Sequence, residues 1–366
     1  MALNSAANPI RVLLVDDSPV SLLVLKKLLA GAPDIQVVGT AANGEEGLRL
    51  VAQLNPTIVC TDLYMPRMNG LELTREIMTR FPRPILVISH AVKPEDTQNI
   101  LDLLEAGAVD VYPKPSDAMD SGYERHAREL ASRVRVVAGV RVFTRRHLTR
   151  REAPSAAGRV RPAESALSQA VRLVAIGAST GGPQALKSIL TALPANFPVP
   201  VLCVQHICDG FLQGLTDWLA ASSRMKVKVA AAGEVALAGC IYFPPDRTHL
   251  QVDVGGCLRL SLGPEVAGHR PSVTVLFESV AQHFGPSAVG VLLTGMGEDG
   301  ATGLLAMARA GAVTIAQDEA TCVVFGMPKV AIALGAARHV LPLEDVAGRL
   351  ISLCSPASLS REKIPT

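Results

Sequence analysis

RLVAIGASTGGP, residues 172–183, reads as a buried strand that breaks into a tight turn and then a helix. Arg172–Gly177 supplies the apolar run, Ser179 sits in the turn, and Pro183 suits a first helical turn. Such a step is the unit of a parallel α/β sheet, whose central strands are buried on both faces and read as continuous apolar runs. The pattern recurs downstream. Strands are predicted at 172–177, 200–205, 227–231, 240–243, 251–254, 258–261, 289–294 and 313–316, and helices at 182–193, 210–222, 273–284, 300–310 and 328–334. It also recurs upstream, with strands predicted at 11–15, 37–41, 58–61, 85–89 and 110–112 and helical patterns such as 19–30 and 44–54 between them. Five βα units predict a doubly wound sheet.

Between the two stretches the composition changes. Eleven arginines fall between Arg125 and Arg161, first in a predicted helix over 123–137 and then in a segment, 145–164, broken by Pro154, Gly158 and Pro162. A solvated basic hinge explains this better than a nucleic-acid arm. The expected organisation is an N-terminal domain over 1–125, a terminal helix and basic linker over 126–168, a C-terminal domain over 169–356, and a disordered tail over 357–366.

The chain's 366 residues suffice for two cores, and 49% apolar residues with only 4% aromatics make those cores aliphatic. A net charge of +2 gives no reason to expect a nucleic-acid partner. No apolar run approaches the ~18 residues of a membrane span, and residues 1–10 have no signal-peptide pattern. Seven cysteines, at 60, 203, 208, 240, 257, 322 and 354, form no C-x-x-C pair. They are expected to be small buried hydrophobes in a reducing compartment, the cytoplasm.

Two groups of residues carry chemistry. In the N-terminal stretch, Asp16 and Asp17 follow the first strand, Asp62 the third, Ser89 ends the fourth and Lys114 follows the fifth. Open α/β sheets place their sites at these carboxyl ends. Carboxylates crowded there repel one another, and a hard divalent cation with oxygen ligands, usually Mg²⁺, resolves the conflict. The most exposed carboxylate can then attack a phosphoryl donor, with Lys114 pairing to the phosphate and Ser89 donating to one of its oxygens.

In the C-terminal stretch, Gly177–Gly181 is a G-x-S-x-G turn that exposes Ser179, with a helix N-terminus behind it to favour an oxyanion. A serine needs a base. Of eight histidines, His206 ends the next strand and is the first choice; His249 is the second, and His269 and the others lie away from strand ends. For the acid that orients the base, Asp299 fits best and Asp318 second. The order Ser, His, Asp disfavours the α/β-hydrolase fold.

A rival reading exists. Gly295, Gly297 and Gly300 form a literal G-x-G-x-x-G between a strand and a helix, with Asp318 and Glu319 after the next strand, which is the fingerprint of an NAD-binding enzyme. Glu298 and Asp299 inside that loop would repel a pyrophosphate, which favours the hydrolase.

The residues at 15–18, DLYMPRMNG at 62–70, Ser89 and Lys114-Pro115 resemble the receiver domain of bacterial two-component response regulators. The resemblance implies Asp62 as phospho-acceptor, Asp17 and the Tyr64 carbonyl as metal ligands with Asp16 in support, and a histidine kinase as partner. His90 and Val111 depart from the usual pattern. IGASTGG at 176–182, Gln205-His206, LTGMGEDG at 293–300, AQDE at 316–319 and FGMP at 325–328 resemble the chemotaxis methylesterase family, CheB. That resemblance implies a protein-glutamate methylesterase, also a glutamine deamidase, working on cytoplasmic helices of methyl-accepting chemoreceptors. Ser179, His206 and Asp299 map onto its triad, and Thr180 and Met296 onto the oxyanion side. Ile207, Cys208 and Asp209 replace the family's usual residues after the histidine.

The expected fold is therefore α/β throughout, a (βα)5 receiver followed by a Rossmann-like parallel-sheet esterase. Mg²⁺ is expected in the receiver and no cofactor in the esterase, and the chain is expected to be a monomer. The unphosphorylated receiver is expected to cover the Ser179 cleft and phosphorylation at Asp62 to release it. A non-enzymatic, DNA-binding response regulator is the other alternative, but it needs a helix-turn-helix where residues 171–353 predict a sheet.

Overall fold

The computed structural model describes residues 8–89, 94–114, 123–140, 142 and 170–355, with 94–98 described by their backbone alone. His90, Pro115, the segment 145–164 and the predicted tail 357–366 lie outside the described residues. The chain divides into two compact units, Met1–Arg151 and Glu152–Thr366.

The first unit alternates β1 (Ile10–Val15), α1 (Pro19–Ala30), β2 (Ile35–Ala41), α2 (Gly44–Leu54), β3 (Ile58–Thr61), α3 (Gly70–Arg80), β4 (Ile85–Ser89), α4 (Pro94–Ala106), β5 (Asp110–Pro113) and α5 (Tyr123–Ala138). Its strands pair in parallel in the order β2-β1-β3-β4-β5. Helices begin where a short polar side chain can take an orphan N–H. Ser18 accepts from Ser21, Asn43 accepts from Glu46, and Asn69 shares a capping box with Glu72. α5 packs against α1 and the sheet and buries Leu130, Val134 and Val137, and Arg135 grips Asp34 with two guanidinium nitrogens. The boundary expected at 125 thus cuts this unit's own last helix. The arginines on its outer face concealed the apolar stripe that belongs to the receiver core.

The second unit contains β6 (Leu173–Ala178), α6 (Gly182–Ala192), β7 (Val201–Gln205), α7 (Leu212–Ser222), β8 (Lys226–Val229), β9 (Cys240–Phe243), β10 (His249–Val252), β11 (Leu258–Ser261), α8 (Val273–Phe284), β12 (Ala288–Leu292), α9 (Ala301–Arg309), β13 (Val313–Gln317), α10 (Met327–Ala333), β14 (His339–Leu341) and α11 (Leu343–Cys354). Seven strands form one sheet, β14-β13-β12-β6-β7-β9-β8, with every neighbouring pair parallel. β6, β7, β12 and β13 are buried at every residue, as their apolar runs require. β10 and β11 leave this sheet. They pair only with each other, antiparallel, and bury Leu250, Val252 and Leu258, with β10 packed against α8.

In both sheets the strand order reverses beside one strand, between β1 and β3 in the first unit and between β6 and β12 in the second. Such reversals open a crevice at the carboxyl ends of the strands. No helix among the described residues is long and apolar enough to cross a membrane. The cysteines are unpaired, but only Cys60, Cys203 and Cys354 are fully buried, and the other four are half-buried.

Candidate functional site

The crevice of the first unit gathers Asp16, Asp17 and Asp62, one carboxylate oxygen of each lying within 4.8 Å of the others. Lys114 reaches into it. Its Nζ stands 2.8 Å from Asp16 Oδ2 and 2.6 Å from Asp62 Oδ2. The remaining oxygens are oriented by the chain, Asp16 Oδ1 accepting from the Ser18 N–H and Asp62 Oδ1 from the Leu63 N–H. Burial pushes the Asp62 carboxyl above its usual value, against the pull of Lys114 and with Asp16 adding like charge. Burial opposes the charge on Lys114, yet Asp16 and Asp62 together hold its pKa above the usual value. Asp17 is exposed; Ser89 is buried at the end of β4, its carbonyl accepting from the Lys114 N–H. Tyr64 is half exposed, its hydroxyl accepting from Asn99. Three hard oxygen donors in one crevice suit a divalent cation of the Mg²⁺ kind.

The crevice of the second unit is built around Ser179, the first residue after β6. Its N–H donates to the Thr294 carbonyl, and its own carbonyl accepts from Gly182 N–H and Gln205 Nε2. Gly181 follows with φ +77, a left-handed turn in which a side chain would also strike Val323. One strand away, the His206 N–H donates to the Ala178 carbonyl, so Ser179 and His206 follow directly on neighbouring, hydrogen-bonded strands. Gln205 joins them again, its Nε2 donating to the carbonyls of both Ser179 and His206.

Asp299 comes from the loop after β12. Its Oδ2 lies 2.9 Å from His206 Nε2 and accepts from the Val273 N–H; its Oδ1 accepts from Ser272 Oγ and from the Thr274 and Gly300 N–H groups. The carboxylate is therefore seated on the N-terminus of α8, where the helix dipole favours negative charge. Burial would raise its pKa, but the His206 partnership and the donors from Ser272 and Thr274 hold it well below the usual carboxylate range. An ionised carboxylate only accepts, so His206 carries its proton on Nε2 and presents a lone pair at Nδ1. That Nδ1 is buried and takes no hydrogen bond, from Ser179 or from any other described residue.

Gly295 closes the pocket from the opposite side. A side chain there would come within 2.7 Å of Ser179 Cβ and 2.3 Å of Met327 Sδ, so the loop can touch the serine only as glycine. The Gly295 carbonyl accepts from the Gly326 and Met327 N–H groups, which fixes the next peptide; no acceptor among the described residues takes the Met296 N–H. Thr294 braces the loop, its Oγ1 donating to the Thr180 carbonyl and its N–H to the buried Gln317.

The structure thus brings Ser179, Thr180, His206, Met296 and Asp299 to one crevice, and the alternatives go elsewhere. His249 is buried with both ring nitrogens engaged, Nδ1 by the Ser272 N–H and Nε2 by the Pro264 carbonyl. Asp318 closes its own turn by accepting from Thr321. Asp299 occupies the glycine-rich loop from within and consumes the Gly300 N–H that a pyrophosphate would need. His269, set aside as lying away from strand ends, packs its ring on His206. It arrives on a loop, which strand-end reasoning cannot see. Ser272 had a readable signal, a serine just before an apolar helical run.

Residues 12–121 match the response regulator receiver domain and residues 174–350 match CheB methylesterase. A Geobacter metallireducens protein named protein-glutamate methylesterase/protein-glutamine glutaminase 4 is 44% identical over 345 residues, 94% of this chain and 99% of that one. A Syntrophus aciditrophicus protein named protein-glutamate methylesterase/protein-glutamine glutaminase 1 is 43% identical over 344 residues, 94% of this chain and 98% of that one. The crystal structure of the Thermotoga maritima CheB methylesterase catalytic domain is 38% identical, covering 50% of this chain and all of that one with a TM-score of 0.49. With relatives this similar along nearly its whole length, the chain belongs to the CheB methylesterase family.

Proposed function

We propose that this chain is a cytoplasmic, monomeric protein-glutamate methylesterase and protein-glutamine deamidase that acts on the cytoplasmic helices of methyl-accepting chemoreceptors under phosphorylation control. Ser179 is the nucleophile, His206 the base and Asp299 the carboxylate that holds the imidazole. One observation carries this reading: Asp299 engages His206 Nε2 and leaves the buried Nδ1 without a partner, on the strand next to Ser179.

His206 Nδ1 takes the Ser179 proton as Oγ attacks the glutamyl carbonyl, and the hydrogen bond between them forms when the serine hydroxyl turns toward substrate. Met296 N–H, with Thr180 beside it, faces the oxyanion. Methanol, or ammonia from glutamine, leaves with the proton from Nδ1, and water then releases the acyl group by the same route.

Asp62 is the phospho-acceptor, with a histidine kinase as donor, and Lys114 and Ser89 receive the phosphoryl oxygens. Asp16, Asp17, Asp62 and the Tyr64 carbonyl would hold Mg²⁺, which supplies charge neutralisation for phosphoryl transfer. The test is methanol release from methylated receptor, with and without a phosphoryl donor. Ser179→Ala is expected to lower kcat roughly 10⁴-fold or more, and Asp62→Asn to abolish the response to the donor. Near-normal methanol release by Ser179→Ala would refute the assignment.

A further inference from the structure

The hydrogen bond from His206 Nε2 to Asp299 fixes one corner of the imidazole and nothing more. Nδ1 has no hydrogen-bond partner among the described residues, so hydrogen bonding leaves the ring free to tilt about that contact. A second imidazole lies against the ring. The His269 ring lies on His206 with centroids 3.7 Å apart and planes 9° from parallel.

His269 is itself held from both sides. Val266 and His269 exchange both backbone hydrogen bonds across Ala267 and Gly268, whose φ values of 52 and 78 make a tight two-residue turn. The next residue, Arg270, is tied by Nη1 to the Leu262 and Gly263 carbonyls. Ser272 then donates its N–H to His249 and its hydroxyl to Asp299. One short segment therefore grips both members of the His206–Asp299 pair, the ring through His269 and the carboxylate through Ser272.

We propose that His269 is a positioning residue for the base. Its flat face restricts the tilt of His206 and keeps Nδ1 toward Ser179, while its own nitrogens take no part in the reaction. The inference rests on the triad reading above, so the experiment must separate the two.

Full-length parent, Ser179→Ala, His269→Ala, His269→Phe and His269→Tyr are compared by methanol release and by labelling with a small fluorophosphonate, which reports Ser179 reactivity without receptor recognition. If the parent is not labelled at Ser179, the triad reading itself fails. Given labelling, His269→Ala is expected to lower kcat by about 10- to 100-fold with KM nearly unchanged, and to slow labelling by a similar factor. At least one of the two flat-ring variants is expected to recover most of both rates, which a general loss of packing would not allow. The proposal is overturned if His269→Ala labels and turns over at the parent rate or if only KM changes. It is equally overturned if both ring variants, folded by thermal melting, are as slow as His269→Ala.

Discussion

Asp62 and Asp299 both lie beyond the carboxyl end of a strand that borders the reversal in its sheet, Asp62 directly after β3 and Asp299 at the far end of the loop after β12, yet they are held in opposite ways. Asp62 shares a crevice with Asp16 and Asp17 and is relieved by one flexible ammonium, Lys114, so its charge is carried against burial and its pKa is raised. Asp299 has no carboxylate neighbour of that kind and accepts from three backbone N–H groups, a hydroxyl and an imidazole, so its pKa is depressed despite burial. The difference suits the roles proposed for them: an acid that accepts a phosphoryl group and a cation benefits from electrostatic tension that ligands relieve, whereas one that holds a ring still benefits from being bonded on every side.

The sharpest break of this comparison is Asp299→Ala. It strips the N-terminus of α8 as well as the partner of His206, and is expected to abolish esterase turnover and to destabilise the second unit by about 3–5 kcal/mol. Trp218 is the only tryptophan and lies in α7, so its fluorescence in urea follows that unit alone. An unchanged midpoint would mean that Asp299 is not the anchor described.

Next in size is Gly295→Ala, in which the new methyl group meets Met327 and Ser179. A displacement of that order near the reacting atoms is expected to lower kcat about 10²-fold, read by fluorophosphonate labelling with circular dichroism as the control for folding. Thr294→Val acts one step further out. Losing its hydroxyl removes the acceptor of the Val324 N–H, at a cost of about 1–3 kcal/mol. Its effect on kcat should be smaller than that of Gly295→Ala, and a larger one would shift the weight of the oxyanion side toward Thr180.

The smallest effect has the opposite sign. Because the folded-state pKa of Asp62 is raised, its ionisation opposes folding at neutral pH. Asp62→Asn is expected to raise the melting temperature of the first unit by something on the order of a degree or two. That gain should fade as pH falls toward the range in which the native carboxyl is protonated. Asp299 should behave in the reverse sense. Its contribution is complete above the ordinary carboxylate pKa of ~3.9 and is lost only as pH falls through its depressed value. Thermal melts in acid, read by circular dichroism and by Trp218, compare the two directly.

The sequence disclosed what lies at strand ends and hid what arrives by loops. β6, β7 and β12 are uninterrupted apolar runs ending in Ser179, His206 and the 295–300 loop, so their termini could be placed to within a residue or two. β14 is a three-residue, half-exposed edge strand with no pattern to find, and α11, whose apolar face carries Val346, Leu350 and Leu353 and packs against α6, was missed alongside it. β10 and β11 were recognised as strands, but alternation alone cannot say which sheet a strand joins. Within the site, the choice of His206 over His249 became decisive only with geometry. His249 is buried and has spent both nitrogens, while His206 is half-buried and keeps one nitrogen unbonded.

The ring edge that His206 turns toward its carboxylate has a mechanical consequence. Nδ1 sits one bond closer to the main chain than Nε2 does, so the partnerless nitrogen is carried on a short lever rooted in a peptide that is itself tied to Ala178, immediately before Ser179. The gap between His206 Nδ1 and Ser179 is then set by the spacing of two adjacent strands more than by side-chain reach. Small shear between β6 and β7 would change that gap, and with it the proposed proton transfer, without displacing either side chain from its own strand.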